Sequence, residues 1–274
     1  MSRSGTYIIQ RPPLREQFAY RLRMLLVLSR TEFKLKYAGS VLGYVWSVTK
    51  PLLYFAVLWI VFGRLFRSTV PRFPLYLLIG IVEYTFLLDA VSMTLPSIVG
   101  RGTVLRRISF PSLVIPVSTT ITAAITFVLN CVVVLGFLAE GGIMPRLPWL
   151  LLAPLFLEFY AFVLGLALIC ATLYVRFRDV SQIWEVLTSV LLFTTPVMYP
   201  MSILPLWAQK LVSCDPLVQV VQDSRRLIFR GDTPVTTILT TAEPRVIPLA
   251  VAFGTLCIGI WLHSYESGRF PEVA

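Results

Sequence analysis

Long apolar runs alternate with short polar segments over nearly the whole chain. Six of the runs reach, or come close to, the roughly 20 residues that a helix needs to cross the hydrocarbon core of a membrane. They lie at about 47–66, 73–95, 113–138, 149–175, 184–199 and 246–262, and the fifth is short. The pattern predicts an all-α polytopic membrane protein with six transmembrane helices in a single transmembrane domain, residues 1–274.

A basic amphipathic segment at about 15–40 precedes the first run. Phe18, Leu25 and Phe33 fall close to one helical face, and cations fall on another. This pattern is typical of a helix that lies in the membrane plane. Such a helix serves either as a topology anchor alone or also as a docking surface for a cytoplasmic partner. The candidate docking residues are Arg23, Arg30, Glu32, Lys34 and Lys36.

The segment at about 204–230 contains apolar pieces that are too short to cross a membrane, at 204–207, 211–212 and 216–221. Polar turns separate these pieces. Short apolar helices broken by polar turns predict re-entrant or interfacial elements ahead of the last run.

Lysine and arginine residues set the predicted orientation. The chain has 24 Lys and Arg against 14 Asp and Glu, which gives a formal net charge of +10. Cations precede the first run and follow the second and fourth, so six spans would place these groups on one side. That side is predicted to be cytoplasmic, with both termini inside, although Arg64, Arg67 and Arg72 lie on the other side. Because the cations flank apolar runs, they favour contact with anionic membrane lipids over nucleic acid.

The composition argues against a soluble fold. Hydrophobic residues make up 57% of the chain and charged residues 14%, whereas soluble domains contain about 25% charged residues. The sequence has no GxxxxGK[ST] phosphate loop and no HExxH, GxSxG or CxxC motif. We therefore expect no catalytic residue and no metal site, and we expect ATP to be bound by another chain. His263 is interpreted as an interfacial residue at the end of the last run.

Two acids, Glu83 and Asp89, interrupt the second run. Ionisable groups at such depth are costly and usually face a bundle interior or a wet cavity. They are interpreted either as a polar lining or helix–helix lock, or as residues that lie near the membrane surface or help dimer packing.

Aromatic residues recur along the first run at positions i, i+4, i+7 and i+11, and Tyr44 approximately extends the stripe. The four positions are Phe55, Trp59, Phe62 and Phe66. Flat rings stack on sugar rings without fixing one orientation, which suits a passage for a long glycan. Ordinary packing against lipid or core is the simpler alternative.

Four segments carry short motifs in order, at 32–52, at 104–111 with Pro116 after it, at 176–180 with 195–200, and at 215–226, and the closing stretch 269–273 also fits. Together they resemble the membrane subunit of type-2 ABC exporters, specifically the polysaccharide and polyol-phosphate branch. That branch exports O-antigen, capsule, teichoic acid or mycobacterial galactan. The resemblance covers about 25–273 and identifies Leu42 and Gly43 as the turn between the interfacial helix and the first span.

The resemblance implies a homodimer with two separate ATPase subunits, which bind ATP and Mg²⁺, in a bacterial inner or plasma membrane. A lipid-linked glycan would pass through a channel between the two permeases, and the segment at 204–230 would form re-entrant helices at its outer exit. The implied ATPase-coupling residues are Thr103, Val104, Leu105, Arg106, Arg107, Ile108 and Ser109. The candidate channel-lining residues are Tyr44, Phe55, Trp59, Phe62, Phe66, Glu83, Met198 and Tyr199.

Three other functions are compatible with a polytopic chain. A type-2 ABC exporter of a drug or lipid would share the fold. An integral-membrane lipid-modifying enzyme would need a compact acidic or histidine-rich motif, and the sequence has none. An ion-coupled carrier would depend on Glu83 and Asp89 and would work without an ATPase.

Overall fold

The computed structural model describes residues 14–36, 38–40, 42–65, 70–101, 112–229 and 246–269. Every regular element in these ranges is helical, which confirms the predicted all-α class. The helices are α1 (Leu14–Lys36), α2 (Trp46–Leu58), α3 (Phe73–Thr94), α4 (Val114–Glu140), α5 (Leu152–Arg176), α6 (Val180–Thr194), α7 (Leu206–Val212), α8 (Pro216–Phe229) and α9 (Val246–Glu266).

Five helical stretches in the described ranges are long and apolar enough to cross a membrane. They are Gly43–Leu65, Phe73–Thr94, Val114–Glu140, Leu147–Arg176 and Val246–Glu266. The first contains α2 and continues through a π-helical stretch, Trp59–Leu65. The fourth begins with a 3₁₀ turn, Leu147–Leu151, ahead of α5.

The helix α6 corresponds to the predicted fifth span but has different bounds. It has 15 residues, or about 22 Å at the usual rise, which is shorter than a hydrocarbon core of about 30 Å. It ends at Thr194, because Thr195 precedes a proline and adopts the extended conformation that proline imposes on its neighbour. The count of six spans therefore stays a prediction.

The helix α3 lies at the centre of the bundle, in contact with α2, α4, α5 and α8. Phe86 of α3 packs on Phe127 of α4 at 4.8 Å between ring centroids and on Phe159 of α5 at 5.6 Å. Burial of α3 on nearly all sides explains why its sequence is apolar around the whole helix and not along one stripe.

The helices α5 and α9 approach each other closely at two glycines. A Cβ added to Gly165 would lie 2.5 Å from the backbone nitrogen of Leu256, and one added to Gly259 would lie 2.6 Å from the Gly165 carbonyl oxygen. Small residues at such a crossing let backbones pack directly, as is common between membrane helices.

Two short helices, α7 and α8, occupy the region predicted to be re-entrant. The Leu217 N–H donates to Asp215 Oδ1 at 2.9 Å, which caps the start of α8. Burial raises the pKa of the Asp215 carboxyl, and this capping hydrogen bond opposes the rise. Most of α8 is buried against α3 and α5, so it is an inner element of the bundle.

Candidate functional site

The first part of the site is the contact that holds α1 on α4, which we call the α1 seat. Glu32 is only 7% exposed. One of its carboxylate oxygens accepts a hydrogen bond from Ser118 Oγ at 2.8 Å and pairs with Arg101 Nη2 at 2.5 Å. The single Thr122 hydroxyl proton is shared among three acceptors, the Ser118 carbonyl oxygen at 3.0 Å, the Ser29 carbonyl oxygen at 3.2 Å and the other Glu32 oxygen at 3.5 Å. The α1 seat thus satisfies a buried carboxylate with a cation and two hydroxyls.

The α1 seat also connects α1 to the segment that follows α3. Arg101 ends a 3₁₀ turn, Val99–Arg101, and its side chain is 27% exposed. The predicted ATPase-coupling residues, 103–109, begin two positions later and lie outside the described residues. Among the described residues, the Arg101–Glu32 ion pair therefore connects the start of that segment to α1.

The predicted docking residues of α1 divide into two groups. Arg23, Arg30 and Lys34 are exposed and form a basic surface on one side of the helix. Lys36 is instead directed at Asp89 of α3, with 3.2 Å between Nζ and Oδ2. Glu32 lies in the α1 seat and not on the exposed surface.

The chain turns from α1 into α2 through glycines in left-handed conformations. Gly39 has φ +78° and Gly43 has φ +48°, in the region that L side chains rarely adopt. Phe33 of α1 stacks on Tyr44 with 5.1 Å between ring centroids and 8° between planes. The turn predicted at Leu42 and Gly43 is therefore present, and Tyr44 packs on α1 there.

The second part of the site is a cavity of about 610 Å³ between α2, α3, α4, α6 and the end of α1, which we call the polar cleft. Its charged lining residues are Lys36, Lys50 and Asp89. Its uncharged polar lining residues are Ser47, Tyr54, Tyr84, Thr85, Ser92, Thr126, Asn130, Thr188 and Ser189. Several of these hydroxyls, such as those of Ser47, Thr85 and Thr188, donate to backbone carbonyl oxygens, and their remaining lone pairs can accept hydrogen bonds from a ligand.

Hydrogen bonds between helices fix the walls of the polar cleft. Tyr84 Oη donates to the Thr188 carbonyl oxygen at 2.6 Å, which joins α3 to α6. Asn130 Nδ2 donates to the Ser47 carbonyl oxygen at 3.2 Å, which joins α4 to α2. The sequence analysis singled out Lys36 and Asp89 for other roles but did not predict Tyr84, Asn130 or Thr188 as lining residues. Asn130 is a polar residue inside an apolar run, which is the signal that could have identified this cavity.

The aromatic stripe of the first span lies outside the polar cleft. Phe55 and Trp59 stack with 6.3 Å between ring centroids, and Phe55 packs on Phe137 of α4 at 6.4 Å. Phe62 is half-buried against the core, and Phe66 lies outside the described residues. The described part of the stripe packs against its own protomer, and its role as a channel lining stays a prediction.

The remaining predicted lining residues, Glu83, Met198 and Tyr199, also lie outside the polar cleft. Glu83 is 2% exposed and Met198 is 2% exposed. Tyr199 Oη donates to the Phe193 carbonyl oxygen at 2.8 Å, which folds the chain back on the end of α6. Of the two intramembrane acids, only Asp89 faces the polar cleft, and it links α3 to α1.

In the part of the chain that the structure describes, no three His, Cys, Asp or Glu side chains are grouped so that they could hold a metal ion. His263 is 1% exposed and lies between Ser112 Oγ, 3.1 Å from Nε2, and Thr172 Oγ1, 3.2 Å from Nδ1. Its contacts tie α9 to α5 and to the start of α4.

Comparisons with known proteins agree with this architecture. The profile of a family described as "ABC-2 type transporter" matches residues 23–229. An "O-antigen export system permease protein RfbA" of Klebsiella pneumoniae is 25% identical over 219 residues, which are 80% of this chain and 85% of that protein. A protein of the same description from Myxococcus xanthus is 28% identical over 260 residues, which are 93% of this chain and 96% of that protein. The family match spans the α1 seat, the polar cleft and α8.

Proposed function

This chain belongs to the ABC-2 type transporter family, as a membrane subunit and not an enzyme, and we propose that its cargo is a lipid-linked polysaccharide. The observation that carries the proposal is the polar cleft, because its hydroxyl and amide groups match the hydrogen-bonding groups of sugars. The similarity to O-antigen export permeases over most of the chain supports the same cargo class.

The path for the cargo is proposed to form between two copies of the chain. Only 11% of an apolar 18-residue stretch within the first span, Gly43–Leu65, is buried inside the protomer. Its outward face carries Leu53, Val57 and Ile60, all more than half exposed. Lipid and a second copy would cover this face, and two polar clefts would then face one channel.

Energy is proposed to come from two separate ATPase subunits that bind ATP and Mg²⁺. The exposed cations Arg23, Arg30 and Lys34 would contact them from α1, and residues 103–109 would act as the coupling segment. Because Arg101 joins that segment to Glu32, a push on it would move α1 and the adjoining polar cleft together. The membrane is proposed to be a bacterial inner or plasma membrane, with both termini cytoplasmic.

The polar cleft is tested by filling it. Ser189→Trp places an indole in the cleft, whereas Val190→Trp places one on the adjacent position, which is 54% exposed and does not line the cleft. We expect Ser189→Trp to lower polysaccharide export by at least about tenfold, the loss expected when a required geometry is blocked, while the ATPase still co-purifies. The Val190→Trp control should export normally. Equal export by both variants would remove the cleft from the transport path.

The coupling segment is tested by charge reversal. Arg106→Glu combined with Arg107→Glu should leave the protein inserted in the membrane. It should abolish the stimulation of ATP hydrolysis by this chain, because the two new carboxylates would be repelled by an acidic cleft on the ATPase. Unchanged turnover in the reconstituted complex would refute the coupling role. A drug or a free lipid that stimulates ATP turnover where polysaccharide does not would support the drug or lipid exporter instead.

A further inference from the structure

Arg225 of α8 is a fully buried cation at 0% exposure. Its Nε donates to the Tyr76 carbonyl oxygen at 3.1 Å, its Nη1 to the Pro196 carbonyl oxygen at 2.8 Å, and its Nη2 to the Val197 carbonyl oxygen at 2.7 Å. The guanidinium carbon lies 3.4 Å from the centroid of the Tyr76 ring. One side chain therefore clamps α8 to α3 and to the turn after α6, and in the part of the chain that the structure describes it forms no salt bridge with a carboxylate.

Glu83 lies on the same face of α3 as Tyr76, but unlike Arg225 it has no set of hydrogen-bond partners among the described residues. It is 2% exposed, and within the described ranges its carboxylate has no partner in hydrogen-bond geometry, although the Ser224 hydroxyl lies beside it. It lines an apolar cavity of about 150 Å³ together with Trp149 and Ser224, whose Nε1 and Oγ atoms are also without partners there. A buried ionised carboxylate is costly unless it is paired, so this position favours a partner that reaches it in another state.

One face of α3 offers Arg225 a path to Glu83. Tyr76, Gly80 and Glu83 are spaced i, i+4 and i+7, so they share one helical face. Gly80 leaves room on this face for the arginine side chain, since a Cβ there would lie 2.5 Å from Arg225 Nη2. The rise from Gly80 to Glu83 is about 4.5 Å. A change of rotamer in the long arginine side chain covers such a distance.

We propose that Arg225 and Glu83 form a two-position latch on the α7–α8 hairpin, residues 206–229. In the first position Arg225 binds the carbonyl oxygens of Tyr76, Pro196 and Val197 and holds the hairpin against the turn after α6. In the second it pairs with Glu83 and releases that turn. Each position satisfies groups that the other leaves unpaired, which is the arrangement that makes a packed element bistable.

The latch is placed to control the end of the bundle opposite α1. Tyr76 lies in the first turn of α3, and Val197 and Met198 are buried beside it, at 0% and 2% exposure. Release of the clamp would expose the turn after α6 to the aqueous side. The latch rests on the proposed transport function only in that ATP binding by the partner subunit would drive the exchange.

Labelling of a cysteine behind the clamp tests the latch. Cys131, Cys170, Cys214 and Cys257 are replaced by serine, Met198 by cysteine, and the complete complex with its ATPase is reconstituted in lipid nanodiscs. Reaction with a membrane-impermeant maleimide is followed without nucleotide and with a non-hydrolysable ATP analogue. With the latch intact, labelling should be slow without nucleotide. It should become at least about tenfold faster with the analogue, if the fraction of molecules with Arg225 in the second position rises by that factor.

The two charged residues should give opposite results. Glu83→Gln should keep slow labelling without nucleotide and abolish the rise, because Arg225 would have no second partner. Arg225→Gln should label fast without nucleotide. If Arg225→Gln does not assemble, Arg225→Lys, which keeps the charge but loses the planar fork, should show the same fast labelling. Glu140→Gln, at an exposed acid at the end of α4, is the matched control.

Two outcomes would overturn the latch. One is a nucleotide-dependent rise in Glu83→Gln equal to that of the control. The other is slow labelling without nucleotide in an assembled Arg225→Gln or Arg225→Lys variant. Failure of the proposed cargo is distinguishable, since a normal nucleotide response without polysaccharide export would leave the latch standing and refute the cargo.

Discussion

Removal of the charge at Glu32 tests the α1 seat most sharply. In Glu32→Gln the side chain keeps its size, but Arg101 loses its ion pair and the hydrogen bonds from Ser118 and Thr122 no longer end on a charged acceptor. We expect α1 to bind α4 more weakly and the complex to couple ATP hydrolysis to export less efficiently.

The magnitude follows from the partners. Removal of one member of a fully buried pair costs about 3–5 kcal/mol. Arg101 is 27% exposed, so water compensates part of the loss. We therefore expect a cost of about 2–3 kcal/mol. Ser118→Ala removes one hydrogen bond to a charged group and leaves the ion pair, so its cost should be about 1.5 kcal/mol.

The assay is thermal unfolding of the purified complex, combined with the ratio of export to ATP hydrolysis. Glu140→Gln removes an exposed acid from the other end of α4 and should leave both measurements at wild type. A Glu32→Gln complex as stable and as coupled as Glu140→Gln would refute the α1 seat as a mechanical connection.

Three further substitutions test individual contacts by the same unfolding measurement. Gly43→Ala should cost about 1–2 kcal/mol because φ is +48°, whereas Gly136→Ala, in open space inside a helix, should be neutral or stabilising; equal effects would contradict the strained turn. Trp59→Ala should cost about 2–3 kcal/mol through lost packing on Phe55, and Ile60→Ala, at 57% exposure, much less; loss of export without loss of stability would instead support a channel-lining stripe. Gly165→Ala should lower the free energy of unfolding by at least about 1–3 kcal/mol, because its Cβ would lie 2.5 Å from the backbone of Leu256. An effect no greater than that of Gly254→Ala, which lies in open space, would show that α5 and α9 separate easily.

The helices could be predicted where apolar runs are long and continuous, as in Val114–Glu140, because burial in lipid requires that composition. The fifth apolar run extends to about 199, whereas α6 ends at Thr194. Residues 195–199 are mostly apolar, but hydrophobicity alone does not show that the helix ends there. It ends because Pro196 disfavours the helical conformation of the residue before it.

The polar contacts could be predicted only in part. Lys36 and Asp89 are 53 residues apart, and no periodicity relates them. The partners of Glu32 left a trace, because Ser118 and Thr122 lie four residues apart on one face of an apolar run. Polar residues repeated at helical spacing in a span indicate a polar partner, but they do not identify it. The clamp around Arg225 left no such trace, since backbone carbonyls carry no sequence signature.

The most direct test of the proposed function is ATP hydrolysis by this chain reconstituted with its ATPase in lipid, with a lipid-linked polysaccharide added. We predict that the polysaccharide stimulates hydrolysis in the wild-type complex and that export of the same polysaccharide is lost in Ser189→Trp but not in Val190→Trp. Hydrolysis that responds to drugs or to unmodified lipids and not to lipid-linked polysaccharide would contradict the account.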